Sequence, residues 1–133
     1  MIKQLSHISL STQNIQNVIN FYVKILGFKI SHKFVNKENK ELYGLFIYCG
    51  KKTFIEFFKD SKNKNINKNT PFRHMCFEVR KINLLAKKLK KLDKSIKVKR
   101  GKTDNVLQFM TKDLDKNLVE FHEYDKHSKL KYL

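Results

Sequence analysis

The chain has 133 residues, 41% apolar, with eleven Phe and five Tyr and a net charge of +17; that length suits one compact domain or two very small half-domains, and the aromatic content supports a packed core. No run of about 18 uncharged apolar residues exists, so no transmembrane helix is expected, and the opening MIKQLSHISLS alternates where a signal peptide would be continuously apolar, so a soluble, cytoplasmic protein is expected. Only Arg73, Arg80 and Arg100 are arginine, while lysines are spread along the chain among asparagines; specific phosphate and base recognition favours arginine forks, so the charge reads as a solvated surface, with no specific nucleic-acid partner.

Residues 3–11 (KQLSHISLS) alternate as a half-buried strand does. Residues 14–26 set Ile15, Val18, Tyr22 and Ile25 on one stripe of a helix, which Asn14 or Thr12 can cap and Gly27 can end in a left-handed conformation. Strands are predicted at 28–35, 42–49 and 53–59, with turns at Asn36–Lys40 and Gly50–Lys52. The polar, aperiodic run 60–70 (DSKNKNINKNT) reads as a linker closed by Pro71. The pattern then restarts: a strand at 72–80, a helix at 81–93 with Ile82, Leu85, Leu89 and Leu92 on one stripe, and strands at 95–100, 105–111 and 117–124. Cys49 and Cys76 lie in strand-like segments and are too few for a disulfide scaffold, so each is expected as a free thiol buried like a small hydrophobe in a reducing compartment. No motif supports a cysteine nucleophile.

The restart is a repeat. His7 and His74 differ by 67 positions, and so do Ile15 and Ile82, Val18 and Leu85, Tyr22 and Leu89, and Ile25 and Leu92. Glu56 and Glu120 differ by 64, a loss of three residues in the later strands. Each half has the order βαβββ and is too short to bury its own sheet face. The expected class is α+β, a single domain over 1–133: module 1 at about 1–60, linker 61–70, module 2 at about 71–125, and a polar C-terminal tail.

Strand alternation decides which side chains share a face. His7 lies with Leu5 and Ser9, Glu56 with Phe54 and Phe58, His74 with Phe72 and Cys76, and Glu120 with Leu118 and His122. Each half therefore offers one His on its first strand and one carboxylate on its last. Two imidazoles and two carboxylates suit one divalent cation such as Zn, Ni, Mn or Fe. Glu56, set among Phe54, Ile55, Phe57 and Phe58, would be costly to bury unpaired, and an ion removes that cost.

The segments HISLSTQNIQNVINFYVKILGFKI (7–30), FIEFF (54–58), HMCFEVRKI (74–82) and DLDKNLVEFHEY (113–124) resemble the vicinal oxygen chelate superfamily over nearly the whole chain. That superfamily groups glyoxalase I, bleomycin- and fosfomycin-resistance proteins, methylmalonyl-CoA epimerase and extradiol dioxygenases. The opening segment, with Phe21-Tyr22 and Leu26-Gly27-Phe28, is the most specific, while Lys116 stands where glycine is common. The resemblance implies two βαβββ modules forming a curved, partly open barrel-like mixed sheet with helices outside, and a homodimer. It also implies that His7, Glu56, His74 and Glu120 fall on the metal-ligand positions of the glyoxalase I type. Relatives with other chemistry carry Gln at position 56 or use a three-ligand set, so the full His-Glu-His-Glu set leans toward a glyoxalase-like lyase or isomerase acting on a thiol adduct of a 2-oxoaldehyde. In that chemistry a Lewis-acidic ion stabilises an enediolate while Glu120, or its pair Glu56, moves the proton. The alternatives are a metal-free binding module with an aromatic pocket drawing on Phe54, Phe58 and Phe72, or an epimerase or thiol transferase on the same scaffold. His122 is expected at the pocket or its rim; Arg73, facing away from His74, and His32 and His127 are expected at the surface.

Overall fold

The structure is a computed structural model describing residues 1–62 and 71–130, so nearly all of the expected linker lies outside the described residues. The elements are β1 (His7–Thr12), α1 (Ile15–Val18) running on as a π-helical stretch (Ile19–Ile25), β2 (Lys29–Val35), β3 (Leu42–Gly50), β4 (Thr53–Lys59), β5 (Met75–Glu78), α2 (Ile82–Leu89), β6 (Lys99–Arg100), β7 (Leu107–Lys112) and β8 (Leu118–Glu123). They form two compact units, Met1–Asn69 with Asp113–Asp115, and Thr70–Lys112 with Lys116–Leu133. Each unit holds one four-stranded mixed sheet, ordered β1-β4-β3-β2 in the first and β5-β8-β7-β6 in the second. The fold is α+β. In both sheets the strand before the helix pairs in parallel with the last strand of the unit, and the other pairings are antiparallel. Among the described residues no helix is long and apolar enough to cross a membrane.

In the first unit Asn14 caps α1 through its side chain, which accepts from the Gln16 amide at 3.0 Å. Gly27, at φ +83°, ends the helix. The Leu26 amide donates to the Phe21 carbonyl five residues back, the wider spacing that defines the π-helical stretch. Ile15, Val18, Phe21 and Tyr22 pack with Leu45, Ile47, Ile55 and Phe57 in one buried core, with the Tyr22 and Phe57 rings 5.0 Å apart. Because side chains alternate across β4, burying Ile55 and Phe57 on the helix side turns Phe54, Glu56 and Phe58 to the other face.

The second unit repeats this plan with shorter elements than the sequence predicts. α2 buries Ile82, Ala86 and Leu89, but Leu92 is exposed because the helix ends at Leu89. Beyond that end Asp93 accepts locally from the Ser95 amide at 2.9 Å and the Ser95 hydroxyl at 2.6 Å, and at longer range from the Thr111 hydroxyl at 2.9 Å. Such local bonds compete with helix propagation. These contacts hold the Asp93 carboxyl below its usual range, Ser95 contributing most. Ile96 is buried where Leu92 is not, and the strand expected at 95–100 shrinks to the two residues that pair with β7. Phe109 and Phe121 stack at 4.9 Å beneath the helix.

Candidate functional site

The register of the two sheets places the candidate residues in the same relation twice. In the first unit His7 pairs with Phe54 and Ser9 with Glu56, so His7 and Glu56 share a face, offset diagonally by two residues. In the second, Cys76 pairs with Glu120, and His74, two residues before Cys76, stands in the same diagonal relation to Glu120. Both pairs lie on the sheet face opposite the helix, the face that alternation assigns from sequence.

The second unit brings its pair into contact. His74 Nε2 lies 3.0 Å from Glu120 Oε2. Glu120 is 8% exposed, and a second imidazole reaches its other oxygen, His122 Nε2 standing 3.3 Å from Oε1. Ligand atoms of Cys76, Glu120 and His122 lie within 4.8 Å of one another, a group that does not take in His74. On the far side of β8, Met110 of β7 pairs with Glu120. One buried carboxylate is therefore approached by two imidazoles and a thiol.

His122 was expected to line a pocket or its rim; the structure makes it part of this cluster. Its Nδ1 lies 3.4 Å from the Tyr124 hydroxyl. Its Nε2 is closed to solvent and makes no hydrogen bond, although it is within ion-pair reach of Glu120. A buried polar nitrogen without a hydrogen bond is uncommon, and an imidazole whose other nitrogen has a fixed partner is how metal-ligating histidines are usually held. The donor chemistry thus fits a divalent cation.

Cys76 requires a correction. It is not a buried hydrophobe but an exposed strand residue whose sulfur faces Glu120. Partial desolvation first, and the Glu120 carboxylate second, push its thiol up to about 12. That shift disfavours the thiolate form of Cys76. Both Cys76 and His122 were legible in principle, since alternation puts them on the faces of His74 and Glu120.

In the first unit His7 is exposed and Glu56 half-buried. Their face is aromatic: the expected Phe54 and Phe58 are joined there by Phe34 and Phe46. His7 meets Phe46 edge-on at 5.5 Å, Phe46 meets Phe54 at 5.9 Å and Phe34 at 5.6 Å, and Phe34 meets Phe58 at 5.1 Å. Gly44 makes room for this layer: a Cβ there would stand 2.6 Å from the Phe58 ring and 2.9 Å from the Phe57 carbonyl. His32 and His127 carry no metal-like grouping among the described residues, and Arg73 is exposed as expected.

A family model for the Glyoxalase/Bleomycin resistance protein/Dioxygenase superfamily matches residues 4–121. The chain belongs to this superfamily. Solved structures of like fold include a glyoxalase family protein from Enterococcus faecalis, 22% identical, covering 91% of this chain and 98% of that one with a TM-score of 0.70. Lactoylglutathione lyase from Agrobacterium tumefaciens is 16% identical, covering 92% and 94%, with a TM-score of 0.64. TnmS3, an antibiotic binding protein from Streptomyces sp. CB03234, is 15% identical, covering 93% and 98%, with a TM-score of 0.66. No curated protein matches the chain. At these identities the likeness speaks to the fold alone, and since a lyase and a binding protein share it, superfamily membership does not choose between catalysis and binding.

Proposed function

We propose that this chain is a metal-dependent lyase or isomerase of the glyoxalase type, with His7, Glu56, His74 and Glu120 as the donors to one divalent cation. The observation that carries the reading is the doubled register, a histidine diagonal to a carboxylate on the helix-free face of each sheet. The 3.0 Å contact of His74 with Glu120 supports it further. When bound, the ion supplies Lewis-acid stabilisation of negative charge on neighbouring substrate oxygens.

The remaining work falls to side chains. Glu120 takes the proton from the carbon beside a substrate carbonyl and returns it to the adjacent carbon, turning a thiol adduct of a 2-oxoaldehyde into a 2-hydroxyacyl thioester. Glu56 is the paired carboxylate, and the Phe46, Phe54 and Phe58 rings around it offer an apolar wall to the substrate carbon chain. A homodimer belongs to this reading by family likeness. Turnover of methylglyoxal with several thiols, under metal-replete conditions, tests it: the wild-type chain is expected to be active and Glu120→Gln to lose most of the rate, about a hundredfold or more. Equal rates in the two proteins would remove Glu120 as the base.

A second reading is supported by the ring layer of Phe34, Phe46, Phe54 and Phe58. It makes the chain a binding protein for a flat apolar molecule, without turnover. Inactivity toward every adduct, together with saturable binding of aromatic ligands by metal-free protein, is its expected signature.

A further inference from the structure

We infer that Cys76 is a thiolate donor to the ion held by His74 and Glu120, so that the site takes thiophilic divalent cations, Zn²⁺, Co²⁺ or Cd²⁺, in preference to Mg²⁺ or Mn²⁺. The inference rests on the metal reading above and deepens it by naming the class of ion.

Cys76 is directly opposite Glu120 in the β5–β8 pairing, so its sulfur and the carboxylate leave the sheet side by side. The sulfur, a Glu120 oxygen and a His122 ring nitrogen fall within 4.8 Å of one another, and His74 Nε2 meets the other carboxylate oxygen at 3.0 Å. Within this group the His122 Nε2 is closed to solvent and makes no hydrogen bond, standing 3.3 Å from a Glu120 oxygen. Sulfur, nitrogen and oxygen donors gathered around one point make a set that borderline and soft ions occupy and hard ions avoid. The feature is particular to the second unit, because the residue opposite Glu56 is Ser9, whose hydroxyl is a poor ligand at neutral pH. Ion binding breaks the Cys76 S–H bond, passes the proton to solvent and forms a metal–sulfur bond; no electrons are transferred.

Titration of the 133-residue chain with Co²⁺, followed by absorption, tests this directly. Cobalt bound by a thiolate shows an intense near-ultraviolet sulfur-to-metal charge-transfer band, whereas nitrogen and oxygen donors alone give only weak visible bands. The wild type and the Cys49→Ser control are expected to show the band. Cys76→Ser is expected to lose it while keeping the weak visible bands, which also shows that the variant is folded and loaded. Cobalt binding without the band in the wild type, or a band that survives in Cys76→Ser, overturns the thiolate assignment while leaving the metal reading in place. Failure of the wild type to bind cobalt overturns both.

Discussion

Tyr22 sits in the first core with its hydroxyl donating to the Asp113 carboxylate at 2.7 Å. Burial above all, and then the Asp113 charge, push that hydroxyl far above its usual range, so it remains a neutral donor at any working pH. Tyr22→Phe takes one donor from a buried carboxylate and is expected to cost about 1.5–3 kcal/mol, read from the urea midpoint; an unchanged midpoint would refute that role. The lysines are informative in a different way. Lys40, Lys51, Lys52, Lys81 and Lys116 all have positive φ, a backbone region that strains a side-chain-bearing residue. The compositional bias toward lysine has entered turns where glycine serves better. Lys116, at φ +68°, is the position where family likeness leads one to expect glycine, and Lys116→Gly should stabilise the fold by up to about 1 kcal/mol in a thermal melt, with a loss of stability as the contrary result. Lysine content was visible in the sequence, but its φ angles were not, because left-handed turns are ordinarily recognised by the glycine or asparagine they contain.

The elements show where local reading stops. The first helix was legible from its stripe, its Asn14 cap and its Gly27 end because each is a short-range signal. The second helix begins at a left-handed Lys81 without a side-chain cap of its own. Glu123, from the end of β8, supplies the cap instead, its two carboxylate oxygens accepting from the Lys81 amide at 2.7 Å and the Ile82 amide at 2.9 Å. A cap delivered from some forty residues away leaves no local mark. Glu123→Ala is expected to cost roughly 1 kcal/mol in chemical denaturation, and a neutral outcome would mean that water caps the helix equally well. The same limit explains Asp113–Asp115, which precede β8 in sequence yet belong to the first unit, where Asp115 accepts from Thr12 Oγ1 at 2.5 Å and from Asn17 Nδ2 at 3.0 Å.

At the end of the second module Arg100 donates to Asp125 Oδ2 at 2.6 Å. That guanidinium hydrogen bond first, with the His127 amide and the Ser128 hydroxyl assisting, holds the Asp125 carboxyl far below the usual carboxylate range. A depressed folded value means the contribution to stability is present above the unfolded value, about 4, and is lost as pH falls from there toward the folded value. Asp125→Asn should therefore melt below the wild type at neutral pH, with the gap narrowing as pH drops below about 4. A gap independent of pH would show that the pair contributes nothing through its charge.

For the molecule as a whole, the duplication was legible because one offset of 67 carries both a histidine and a helix stripe. The observed sheet orders repeat it strand for strand. The diagonal placing of each candidate histidine and carboxylate was legible for the same reason, whereas Cys76, read only as a neighbour on the His74 face, and His122, expected at the pocket or its rim, acquire a ligand-like setting only beside each other and Glu120. The charge of +17, carried almost entirely by dispersed lysine, should give sequence-independent adsorption to polyanions at low salt that fades steeply between about 50 and 200 mM.

The doubled histidine–carboxylate relation has meaning for function only if an ion is held there. Elemental analysis of protein purified without chelator, for the wild type and for Glu120→Gln and His74→Asn, measures this most directly. About one divalent ion per chain in the wild type, falling well below that in both variants, is the expected result. A folded wild type that takes up no ion even from metal-supplemented buffer, or variants that retain a full complement, would contradict it.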